Sequence, residues 1–88
     1  MDKSISKKHL IINATNNLKD NEVICLLTAI GSITGRPTET CLETSIHLDL
    51  TDARMPYMGK MIDFKAITIF LDQIIAISIE KRIPYQST

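Results

Sequence analysis

Three side chains in the segment TSIHLDLTDA could together hold a divalent cation: His47, Asp49 two residues on, and Asp52 just behind. A metal site also needs a defined coordination sphere and groups behind the ligands that orient them. No further ligand cluster accompanies these three, so a solvated strand face is the simpler reading. His9 follows Lys7 and Lys8 and belongs to the polar side of a helix. Cys25 and Cys41 form no C-x-x-C pair and have no His at ligand spacing. Each lies in an apolar or Thr-rich run, where a thiol behaves as a small hydrophobe. Two buried free thiols are expected, which points to a reducing, cytoplasmic compartment. The Asn13-Ala14-Thr15 sequon carries no meaning without a secretory route. Neither a G-x-S-x-G elbow nor a Cys–His dyad is present, and the stretch from Gly31 to Gly35 lacks the Lys-Ser/Thr of a phosphate-cradling loop. Strand bending explains those glycines better. The sequence is therefore not expected to be an enzyme or to bind a cofactor or metal.

The elements that position these groups follow from hydrophobic period. In residues 4–18, Ile11, Ala14 and Leu18 recur at i, i+3 and i+7 with lysines opposite, which predicts a short helix. Asn16, Asn17, Asp20 and Asn21 close it. The β-branched run VICLLTAI is followed by Gly31, Gly35 and Pro37, a density that suits bent or bulged strands and would cripple a helix. Ile46, Leu48 and Leu50 alternate with His47, Asp49 and Thr51, a half-buried strand. Residues 52–64, with Pro56 and Gly59, read as a variable loop. The run from Lys65 to Pro84 is ambiguous. As a helix it offers Ile67, Phe70, Leu71, Ile74 and Ile77 on one face. As strands it offers Ile67, Ile69 and Leu71, a break at Asp72-Gln73, then Ile75, Ile77 and Ile79. Its wealth of isoleucine favours the strands, because β-branching suits a pleated surface. The expected order is a helix over about 4–18 and strands over about 22–30, 32–42, 44–51, 66–72 and 74–82.

The 88 residues allow one domain, 1–88. With 44% hydrophobic and 23% charged residues the composition is that of an ordinary globular chain. Ten basic residues balance ten acidic ones, which argues against a broad basic field for nucleic acid while leaving room for a local patch. No basic segment followed by an apolar one opens the sequence, so a cleaved secretory signal is not expected. The apolar stretch 66–79 is interrupted by Asp72 and Gln73 and is too short to cross a bilayer. A disulfide scaffold and a multidomain enzyme are excluded as well.

A short helix leading into five bent strands resembles the Sm-like fold, bacterial Hfq included. LLTAIGSITGR, residues 26–36, is similar to the first Sm motif, with Ile33-Thr34-Gly35 as its hydrophobic-x-Gly element. IFLDQIIAISIEKRIP, residues 69–84, resembles the second, in which a strand reaches a short polar turn, an I-x-x-I-type strand and a proline. A competing register sets LTDARM and GKMIDFKAITIFL against the L-x-D-G-R…G phrase of many Sm proteins, but leaves too few residues for the closing strands. The sequence departs from the family at Ile30, where a glycine is usual, and at Leu71-Asp72-Gln73, where Arg-Gly or Lys-His signatures stand. The resemblance implies a mainly β fold, a five-stranded, strongly bent antiparallel barrel of the SH3 type behind a short N-terminal helix. It also implies a ring-forming protein of RNA-binding or RNA-chaperone type.

The strand pattern carries its own consequence. Open sheet edges need protection by charge, proline or a partner, and only Asp72 is charged between residues 66 and 79. A second copy is the economical cover, and head-to-tail pairing that closes gives a ring. Ile67, Ile69, Leu71, Ile75, Ile77 and Ile79 are the expected oligomer interface, in a ring of about five to seven copies. For single-stranded RNA the expected contacts are Lys65 beside Phe64, Gln73 in the turn, and Arg36 on another surface, with Asp72 opposing phosphate. The rival class is a structural or protein-interaction module, either a ring without RNA or a helical dimer built on residues 62–82.

Overall fold

In the computed structural model residues 6–82 are described; the first two positions of the expected helix, and Pro84 and Tyr85, lie outside them. Helix α1 (Lys7–Asn16) precedes strands β1 (Glu22–Thr28), β2 (Gly31–Pro37), β3 (His47–Tyr57), β4 (Lys60–Phe70) and β5 (Ile74–Lys81). Helix α1 starts where the Ser6 hydroxyl accepts a hydrogen bond from the His9 amide at 3.1 Å, satisfying a donor that has no partner inside the helix. It ends at Asn16, within the expected span. The five strands form one antiparallel sheet in the order β4-β3-β2-β1-β5. The isoleucine-rich run is two strands, not a helix, and Leu71–Gln73 between them makes a single 3₁₀ turn. Among the described residues β4 and β5 are the ends of the sheet, and no ladder joins them to each other.

The expected loop at 52–64 is instead the middle of a long hairpin: β3 continues to Tyr57 and β4 starts at Lys60. The alternation changes phase here. On β3 the buried positions are Leu48 and Leu50, then Ala53 and Met55. On β4 the inward positions shift at the same level, from Ile69 and Ile67 to Phe64 and Ile62. Across from Gly35, β3 supplies both Asp52 and Ala53, a bulge with Asp52 at φ 50°. Strict alternation treats such a slip as the end of a strand, although the backbone only bends through it. Gly35 permits the bend, because a Cβ there would lie 3.1 Å from the Leu50 Cβ and the Thr51 carbonyl oxygen and 3.2 Å from the Ala53 Cα. Met58 (φ 51°) and Gly59 (φ 79°) are the two left-handed residues of the tight turn, with Tyr57 opposite Lys60.

The second strand stops at Pro37 and not at 42, and the third begins at His47 and not at 44. Residues 38–46 bridge the gap as a connection bound to α1. The Asn16 amide donates to the Cys41 carbonyl and accepts from the Cys41 amide, both at 2.9 Å, and the Lys8 ammonium donates to the Ser45 carbonyl. Backbone groups that side chains satisfy in this way need no ladder. Ile24, Leu26, Leu50 and Ile74 form the fully buried centre, capped by Ile11 of α1. At the start of β5 it is Ile74, not Ile75, that is buried, because the β1–β5 register shifts beside Thr28.

Candidate functional site

Where β3 begins and β4 ends, two cross-strand pairs place four side chains on the outer face: His47 opposite Phe70, and Asp49 opposite Thr68. The His47 and Phe70 rings meet edge to face, centroids 6.2 Å apart and planes at 82°. Both remain accessible, Phe70 at 53% exposure. The Thr68 hydroxyl donates to Asp49 Oδ1 at 2.6 Å, and His47 Nδ1 lies 3.3 Å from the same oxygen. Beside this array a shallow hollow is lined by Lys8, Ile46, Phe70, Asp72 and Gln73. Lys7, whose ammonium donates to the Ile74 carbonyl at 3.0 Å, and Lys8 bring the cations of α1 to this end of the sheet. The array thus offers an aromatic surface, fixed hydrogen-bond acceptors and nearby ammonium groups. Among the described residues no group of three or more His, Cys, Asp or Glu is placed to hold a metal ion.

The residues expected from sequence to contact RNA are scattered. Gln73 lines the hollow just described. Lys65 and Phe64 instead border a separate hollow with Asp52, Arg54, Asp63 and Arg82, where Arg54 pairs with Asp63 at 3.2 Å. Lys65 sits within β4, not ahead of it, and Phe64 packs half-buried against the core. Arg36 donates from one guanidinium nitrogen, Nη1, to the carbonyls of Lys19, Asp20 and Glu22 and holds the helix–strand connection. His47 and Phe70 were legible individually, but their juxtaposition depends on the β3–β4 register, which the misread loop concealed.

The isoleucine set divides too. Ile69 and Leu71 are each 6% exposed and belong to the chain's own core, so their side chains do not face a partner. Ile67 and Ile77 pack half-buried against that core, whereas Ile75 and Ile79 remain exposed. Of the two free thiols, Cys41 is buried and Cys25 only partly so. Burial first, and then the Glu80 carboxylate, raise the Cys25 thiol above its usual range and keep it protonated at neutral pH. Among the described residues no helix is long and apolar enough to cross a membrane.

No protein-family model matches the chain, and no curated protein does. Solved structures do. A Pyrococcus abyssii Sm protein in complex with a uridine heptamer superposes with a TM-score of 0.57 at 20% identity, over 82% of this chain and 96% of that one. A heptameric archaeal Sm protein gives 0.55 at 12% identity, over 85% and 98%. The P. aerophilum SmAP1 heptamer gives 0.54 at 13% identity, over 93% and 100%. Helix, strand order and the short turn between the last two strands agree in one conclusion: this chain has the fold of the Sm-like proteins.

Proposed function

We propose that the protein is a non-enzymatic Sm-like module that closes into a ring and binds single-stranded RNA. The observation that carries the reading is the pair of open edges. Strands β4 and β5 end the sheet on opposite sides, and exposed backbone N–H and C=O groups of a long apolar edge invite another strand. An antiparallel β4–β5 contact between copies is head-to-tail, and repeated with closure it yields a ring. Similar folds are described as heptamers, and one is in complex with a uridine heptamer. Ile75 and Ile79 on β5, with the half-buried Ile77 on β5 and Ile67 on β4, are the side chains left to line such a seam. Within the ring the curled sheet acts as a small barrel, and each copy of the His47–Phe70 pair recurs around one face. The reading takes residues 1–88 as one Sm-like domain and sets the two free thiols in a reducing, cytoplasmic compartment. Lys65, Phe64, Gln73 and Arg36 are the candidate RNA contacts, with Lys8 beside Phe70 in the same hollow.

Light scattering should return a mass of about five to seven copies, and Ile75→Lys, at a position 64% exposed, should reduce it to a monomer. Fluorescence anisotropy with labelled oligoribonucleotides should show binding that weakens steeply with salt. A monomeric wild type removes the ring. A ring that binds no oligoribonucleotide at ~50 mM salt leaves the protein-interaction module, a reading that the carboxylates Asp49 and Asp72 beside the aromatic pair favour through their repulsion of phosphate.

A further inference from the structure

The geometry points to a base preference: we propose that His47, Asp49, Thr68 and Phe70 form a reader that selects nucleobases bearing an exocyclic amine and disfavours uracil, which has none. This rests on the RNA reading above. The four residues are alternate rungs of one ladder, with Leu48 and Ile69 between them, so their side chains share a face, an aromatic row beside an acceptor row. Along a strand, positions i and i+2 are about 6.5 Å apart. That is the span from the middle of a stacked base to a group hydrogen-bonded at its edge. A base lying on Phe70 or His47 therefore presents its edge to Asp49.

What that edge meets is an acceptor. Both protein contacts of the Asp49 carboxylate fall on Oδ1, 2.6 Å from the Thr68 hydroxyl and 3.3 Å from His47 Nδ1. They hold the group in place, while the side chain keeps 38% exposure for a ligand. An ionised carboxylate only accepts hydrogen bonds. Adenine N6 and cytosine N4 each offer an amine to it. Uracil turns two carbonyl oxygens outward on either side of its single N–H, and a carboxylate repels both. The neighbouring turn adds a further acceptor in Asp72, whose Oδ1 lies 3.3 Å from Gln73 Nε2. For phosphate the adjoining hollow offers Lys8, whose ammonium would exchange the Ser45 carbonyl for it.

The test compares oligoadenylate, oligocytidylate and oligouridylate of equal length by anisotropy at low salt. Oligoadenylate and oligocytidylate should bind the wild type roughly fivefold or more tightly than oligouridylate. Asp49→Asn conserves shape and adds a donor for the uracil oxygens, so it should bring that ratio to about one without changing the light-scattering mass. Phe70→Ala should weaken all three to a similar degree, because stacking is indifferent to base identity. A wild type that prefers oligouridylate, or an Asp49→Asn ratio equal to the wild type's, overturns the base preference and leaves RNA binding standing. Failure of all three oligomers to bind overturns both.

Discussion

The two halves of the β3–β4 hairpin are built from the same ladder yet serve opposite ends. Below the Asp52 bulge, Leu48 and Leu50 are buried against the core while His47, Asp49, Thr68 and Phe70 are tied together on the outside. Above it, Met55 marks the last buried position, and Tyr57, Met58 and Met61 stand in solvent at a turn that strains a methionine. One half is held by packing and hydrogen bonds, the other chiefly by its backbone rungs and an exposed ion pair. Position relative to the phase change, more than residue type, decides which apolar side chains become core.

The comparison breaks most severely at the bend itself. Gly35→Val would press its side chain onto Leu50, the Thr51 carbonyl and Ala53, a backbone-limited clash that should cost about 3 kcal/mol. Thermal melting should fall by at least about 12 °C; a melt near the wild type's would show that the close approach is not what bends the sheet. A smaller effect sharpens the contrast from the tip. Met58→Asn puts a residue suited to left-handed backbone at φ 51° and should add about 0.5–1 kcal/mol in denaturant titration, with no change in the outer array. An unchanged midpoint would mean that the turn is relaxed as it stands. The smallest difference sets one polar pair against the other. Thr68→Val removes a hydrogen bond to a carboxylate and should destabilise by about 1 kcal/mol, whereas Asp63→Ala removes an exposed ion pair and should change stability by under about 0.5 kcal/mol. Equal losses would erase the distinction between the halves.

Much of this architecture was legible in residue order, and the failures share a cause. The terminal isoleucines announced two strands because β-branching and the Asp72-Gln73 break agreed with each other. Asp52 to Phe64 was misread because the pattern there is two correct alternations out of step, and Pro56 and Gly59 disguised the slip as a loop. Residues 38–42 looked like strand because they are Thr-rich, yet Asn16 binds Cys41 through a contact 25 positions away that no local pattern reports. Arg36 carried a free charge on paper and is engaged by three carbonyls in space. The functional array suffered most, since its members are unremarkable alone and become a unit only through the register of a hairpin.

The pairing of β5 with β1 bears on how a new molecule matures. Glu22 and Lys81 face each other across that ladder, so a chain leaving the ribosome keeps one flank of β1 bare until β5 has been synthesised. Contacts so distant in sequence close slowly, on the millisecond-to-second scale typical of small all-β domains. Order of synthesis thus leaves β1 paired with β2 alone until β5 arrives.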